Sequence, residues 1–142
     1  MDYFDVLGDI NYIGVALAVV STFVVGMVWY AESVFGKAWM KLAGLTKKQV
    51  ENKEKMMKAM MHSFVASIIT AVVLAGLMYE LGIDDLWDGA VFGAIIGFGL
   101  AAASMVTHDA FEQRKMALTR INGLHDVLSF AVMAAIIAAV GF

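Results

Sequence analysis

Ile10-Asn11-Tyr12-Ile13-Gly14-Val15-Ala16-Leu17-Ala18-Val19-Val20-Ser21-Thr22-Phe23-Val24-Val25-Gly26-Met27-Val28-Trp29 decides the fold class. Only Asn11, Ser21, Thr22 and small residues interrupt its apolar character, and none of its side chains is charged. About 20 residues rising 1.5 Å each cross the ~30 Å hydrocarbon layer of a bilayer as one helix. Trp29-Tyr30 closes the run with the amphipathic rings that settle at headgroup level.

Three further apolar runs follow, giving expected spans at about 10–30, 59–80, 88–107 and 123–142 of a single transmembrane domain covering 1–142. The whole chain fits this reading. It is 61% hydrophobic over 142 residues, with a mean hydropathy of +0.79. A soluble domain of that length has too little interior to hide so much apolar surface. Cysteine is absent, which excludes disulfides and thiolate chemistry, and proline is absent, which excludes proline kinks. The acidic start, Met1-Asp2-Tyr3-Phe4-Asp5, lacks the positive charge of a signal peptide, so the first span is expected to be retained.

Between spans one and two, Phe35, Trp39 and Leu42 recur at helical spacing while Lys37 and Lys41 share another face. A short interfacial helix ending at Gly44 is expected there. Thr46-Lys47-Lys48-Gln49 matches a capping box, from which a helix is expected to run unbroken into the second span as a cytoplasmic extension. Gly82 is expected to cap that span, and Trp87 marks the interface again. Span three carries Gly89, Gly93, Gly97 and Ala101 at four-residue intervals, a face on which another helix can approach closely.

Charge sets the orientation. All ten basic residues fall between spans one and two (Lys37, Lys41, Lys47, Lys48, Lys53, Lys55, Lys58) or between three and four (Arg114, Lys115, Arg120). The opposite side holds only Asp2, Asp5, Asp9, Glu80, Asp84, Asp85 and Asp88. The positive-inside rule then places both longer loops in the cytoplasm and both termini outside.

Asn11-Tyr12, Gly26, Trp29-Tyr30 and Phe35-Gly36-Lys37-Ala38-Trp39 recur in order with Phe111-Glu112-Gln113-Arg114 and Ile121-Asn122, followed by His125 and Val127. In these motifs the chain resembles small bacterial and archaeal membrane proteins catalogued as domain of unknown function 1761. Members of that family often place a tryptophan and a proline after the Phe-Glu-x-Arg motif, where this chain has Lys115-Met116-Ala117. The resemblance implies four spans in a prokaryotic plasma membrane and no established activity.

The polar residues concentrate in the bridge between spans three and four: His108, Asp109, Glu112, Arg114, Asn122, His125 and Asp126. His62 is expected at a similar membrane depth. One reading is a clasp of hydrogen bonds tying helix ends together. The other is a ligand or metal site, with His62, His108, Glu112 and His125 as donors of the kind that zinc or iron accepts. Met56, Met57, Met60 and Met61 beside His62 suit packing better than copper. Ser63, Ser67 and Thr70 form a polar stripe on span two.

No Asp, Glu, Lys or Arg lies in any span's centre, which disfavours an ion-coupled carrier. No nucleotide-binding glycine loop, zincin spacing or nucleic-acid recognition motif is present. The expectation is an all-α integral membrane four-helix bundle, non-enzymatic and without a cofactor, self-associating or serving as a subunit of a membrane complex. Its interface anchors are Trp29, Tyr30, Phe35, Trp39 and Trp87. A metal- or small-ligand-binding protein and a small-solute channel are the competing readings.

Overall fold

A computed structural model describes residues 3–142. Asp2, counted above among the outer acids, lies outside the described residues. Four helices are long and apolar enough to cross a membrane: Tyr12–Trp29, Lys53–Leu81, Leu86–Phe111 and Met116–Val140. In chain order, α1 (Tyr3–Asp9) leads into α2 (Tyr12–Trp29), and a π-helical turn (Glu32–Gly36) runs into α3 (Lys37–Ala43). Then come α4 (Lys47–Val50) and α5 (Lys53–Leu81). The third span is α6 (Leu86–Ile96), a π segment (Gly97–Ala102) and α7 (Ala103–Phe111), and α8 (Met116–Val140) completes the chain.

Helix α8 is the centre of the bundle, with α6 on one side, α2 on another and α5 more loosely against both α2 and α8. Glycine explains the tightest of these contacts. A Cβ on Gly89 would lie 2.8 Å from the Ala134 carbonyl oxygen, one on Gly93 2.7 Å from the Phe130 carbonyl carbon, and one on Gly97 2.9 Å from the Val127 Cα. The glycine stripe is therefore spent against α8 of the same chain and is not left free for a second copy. Its predicted fourth member, Ala101, is displaced. Residues four apart advance about 40° beyond a full α-helical turn, and the wider π segment re-phases the seam so that Ala102 stands against Gly123.

The loop between the first two spans forms as expected in part. Gly44 ends α3 in the left-handed conformation, and Thr46 and Gln49 make both arms of the capping box. The unbroken helix beyond it does not form. α4 ends at Val50, and Asn52 starts α5 afresh by accepting a hydrogen bond from the Lys55 N–H at 3.0 Å. A second cap, Asn52, six residues after Thr46, is the competing signal. At the π turn, the Gly36 N–H reaches back five residues to the Ala31 carbonyl at 2.9 Å. A Cβ there would collide with Tyr30 and Ala31 backbone, so only glycine fits.

α1 has no counterpart in the sequence reading. Val6 and Ile10 are buried in the core cluster, which explains why this short acidic stretch is helical and docked. That cluster occupies one half of the bundle: Val15, Ala18 and Val19 of α2, Ala71, Leu74, Ala75 and Met78 of α5, and Met133, Ala134, Ile137 and Ala138 of α8. All lie toward the end that carries Asp5, Asp9, Glu80, Asp84, Asp85 and Asp88. At the opposite, basic end α5 diverges from α2 and α8.

Gly93→Ala should force α6 away from α8 and lower stability by roughly 1–3 kcal/mol, the usual cost of overpacking a filled core. Gly99→Ala, where nothing lies within 4 Å of the added carbon, should leave the thermal midpoint in detergent unchanged. Equal midpoints for the two variants would refute this account of the seam.

Candidate functional site

The divergence of α5 opens a cleft of about 700 Å³ between α2, α5 and α8 at the basic end of the bundle. One wall is Thr22, Phe23, Gly26, Met27 and Tyr30 of α2 and the residue that follows it. The facing wall is Met56, Met60, Ser63, Ser67 and Thr70 of α5, and Trp39 and Val50 lie at the outer end. The floor comes from α8, with His125, Asp126, Ser129, Phe130 and Met133. The serine–threonine stripe of the second span therefore faces the His125–Asp126 pair across one cavity.

His125 is held from every side. Its Nδ1 lies 3.1 Å from Asp126 Oδ1 and its Nε2 3.3 Å from Ser129 Oγ. With Asp126 ionised, Nδ1 donates to the carboxylate and Nε2 accepts from the serine hydroxyl. The ring centroid lies 5.0 Å from that of Tyr30 and 6.3 Å from that of Trp29. Gly26 sits opposite, where an added Cβ would stand 3.7 Å from Nε2.

The chain reversal after α2 builds the rest of the cradle. Trp29 Nε1–H donates to the Ile121 carbonyl at 3.1 Å, and the Tyr30 hydroxyl donates to Asn122 Oδ1 at 2.9 Å. The Trp29 ring packs on Phe35 and the Tyr30 ring on Trp39. Of the five expected interface anchors, these four thus join one internal cluster, while Trp87 stands 74% exposed.

The rest of the bridge forms a separate clasp. Thr119 Oγ1 donates to Asp109 Oδ2 at 2.7 Å, both residues being buried where α7 meets α8. Arg114 Nε lies 2.7 Å from Glu112 Oε2 and 3.7 Å from Asp109 Oδ1. The Glu112 hydrogen bond and charge, with Asp109 adding, hold the Arg114 guanidinium above its ordinary value. Between the helices Gln113 takes a left-handed conformation (φ 56°), letting the Arg114 N–H reach the Asp109 carbonyl.

His62 and His108 are exposed on α5 and α7, and neither lines the cleft. Among the described residues no three histidine, aspartate or glutamate side chains gather as a metal-holding group, so His62, His108, Glu112 and His125 are not assembled into one.

Among the hydrogen-bonding side chains, Ser129 and Thr119 escaped the sequence reading. Ser129 was legible as the residue one turn beyond His125. Thr119 had no local signal, because its partner lies ten positions away across a turn. The Asp126–His125–Ser129 order invites comparison with a proton relay to a serine nucleophile. However, all three lie in mid-helix, where the backbone N–H groups are committed to carbonyls one turn back, and no backbone pair is free to hold an oxyanion. Ser129 is also only 3% exposed. The arrangement suits holding a polar group better than acyl transfer.

Residues 13–138 match the family described as Protein of unknown function (DUF1761), and the chain belongs to that family. The motifs that carry the likeness in sequence largely coincide with this cradle: Gly26, Trp29, Tyr30, Phe35, Trp39, Ile121, Asn122 and His125. Comparison with curated proteins and with solved structures gives no match.

Thr119→Val should strand the buried Asp109 carboxylate, with Arg114 as its remaining partner, at a cost of about 1–3 kcal/mol. Chemical unfolding in detergent micelles measures it. Glu112→Gln, at an exposed pair, should cost well under 1 kcal/mol. The reverse ranking would show that the exposed pair, and not the buried one, ties α7 to α8.

Proposed function

We propose that this member of the DUF1761 family is a non-enzymatic membrane protein that binds a small amphipathic molecule in the cleft between α2, α5 and α8, with His125 as its central polar contact. The observation that carries this reading is the cleft itself. Its walls are mostly apolar, as in small-molecule sites generally, and its few polar groups converge on one spot. The bundle is not short of means to close it, since in the other half of the same three helices Leu74, Met78 and Ile137 are fully buried.

That packed half also argues for binding over conduction. The stripe of Ser63, Ser67 and Thr70 leads from the basic end toward an apolar plug and finds no continuation beyond it. Self-association loses its original motive, because Gly89, Gly93 and Gly97 are occupied within the chain. The methionines that suggested copper are better used as an adaptable wall, since Met56 and Met60 line the cleft.

In this reading the cleft opens toward the cytoplasm. The support is the charge split: all ten basic residues lie at its end of the bundle. The chain contains no cysteine, so single cysteines report topology without background. Cysteine at Lys53 should stay unlabelled by an impermeant maleimide in intact cells, and cysteine at Asp85 should react; the opposite pattern would invert the orientation.

Ser63→Phe and Ala66→Phe place rings on exposed cleft-facing positions of α5 and should abolish binding of a co-purifying or added amphiphile while leaving helicity and thermal midpoint intact. Native mass spectrometry in a nonionic detergent gives the readout. Retained binding in both variants would place the ligand elsewhere.

A further inference from the structure

We infer that the cleft selects an organic cation, an ammonium or phosphonium centre carrying apolar substituents, with Asp126 as its counter-charge; this rests on the binding reading above. Among the residues lining the cavity, Asp126 is the only one with an acidic side chain, and none is lysine or arginine. Its Oδ1 is engaged by His125, while Oδ2 makes no hydrogen bond among the described residues. The carboxylate is partly open, at 31% side-chain exposure, so a ligand can reach it.

The surroundings suit a soft, poorly hydrated cation. Tyr30 and Trp39 both line the cavity with Asp126, their ring centroids 5.3 Å apart and their planes inclined at 61°. Aromatic faces attract cations within about 6 Å of the ring centre, more strongly once water is excluded. Phe23, Phe130 and the thioethers of Met56, Met60 and Met133 supply contact for apolar substituents. The hydroxyls of Thr22, Ser63, Ser67 and Thr70 leave a polar margin without adding charge.

The basic end of the bundle is the obvious counterargument. Seven lysines lie between α2 and the apolar part of α5, and they should favour anions. None of them lines the cleft, however, and Lys47 and Lys58 are already paired with Glu32 and Glu51, and with Glu54. Exposed charges are screened over about 8–10 Å at ordinary ionic strength, whereas partly buried pairs are screened far less. The lysines therefore act on the approach of a ligand, and Asp126 acts on the bound one. A compact, strongly hydrated cation gains little from such a site, because its water is not replaced by aromatic and thioether contact.

Tetraphenylphosphonium and tetraphenylborate test the sign of the charge at nearly constant shape. Binding to the purified full chain in a nonionic maltoside detergent is read by calorimetry. The phosphonium should bind one ion per chain, at least tenfold tighter than the borate. Asp126→Asn should remove most of that preference and Asp126→Glu should keep it, with helicity and thermal midpoint followed for both. Trp39→Leu should weaken the phosphonium by roughly threefold or more. Equal or tighter binding of the borate, or a phosphonium affinity untouched in Asp126→Asn, would overturn the cation assignment while the cleft reading stands. If neither ion binds, the cation assignment falls; if the phosphonium binds and neither Ser63→Phe nor Ala66→Phe weakens it, the cleft reading falls with it.

Discussion

The backbone-to-backbone seam between α6 and α8 is the contact on which the rest of the bundle depends. Within a bilayer, helices gain nothing from leaving lipid for one another, so association rests on close packing and on hydrogen bonds. Gly89, Gly93 and Gly97 bring α6 onto the carbonyls and α-carbons of Ala134, Phe130 and Val127. That fixes α8 in position and in rotation. The face of α8 turned toward α2 and α5 is then the one bearing His125, Asp126, Ser129 and Met133, and the site follows from the rotation.

A second constraint acts at the basic end. The π turn at Glu32–Gly36 folds the chain back immediately after Tyr30, which is possible only because residue 36 has no side chain. The reversal carries Phe35 against Trp29 and Trp39 against Tyr30. With those rings braced, the indole N–H and the phenol hydroxyl reach Ile121 and Asn122 of α8. The aromatic pair that a hydropathy reading assigns to the headgroup belt thus spends its polar atoms on the protein. Burial of two polar ring edges against a helix is tolerable because each finds a partner there.

Much of this was legible in the chain, and what was missed has identifiable causes. The four spans, the glycine seam, the Thr46 capping box and the Gly44 and Gly82 stops all follow from local periodicity and cap chemistry. The break at Asn52 was missed because a lysine-rich, helix-favouring stretch outweighed one asparagine; yet an asparagine with a free N–H two or three residues on is a cap signal in its own right. The π segments have no sequence signature beyond glycine. The use of the glycine face inside the chain was not decidable, since a small-residue stripe looks the same whether its partner helix is internal or external. The bridge that gathers so much polarity divides in two: Asp109, Glu112, Arg114 and Thr119 tie α7 to α8, and Asn122, His125 and Asp126 turn toward the cleft. Sequence proximity along 107–126 hid that division, because a helix starting at Met116 points residues a few positions apart to different sides.

The two halves of the bundle differ in how closely the same helices pack. α2, α5 and α8 pack tightly over alanine, valine, leucine and methionine at the acidic end, where Leu74, Ala71, Met78 and Ala134 are essentially inaccessible. Toward the basic end the same helices carry polar or conformationally loose residues at the facing positions, and the gap stays open. A carboxylate, an imidazole and a row of hydroxyls placed on facing walls of membrane helices are costly unless they are satisfied or face a cavity. Here the buried polar atoms are satisfied: no buried side-chain nitrogen or oxygen among the described residues lacks a partner. The partly open Asp126 keeps unused hydrogen-bonding capacity toward the cleft, beside the hydroxyls of Ser63 and Thr70. A bundle built for packing alone would gain by filling that space with leucine, as it does a few turns away. On the proposed reading, the polar lining serves what enters the cleft and not what the helices need from one another.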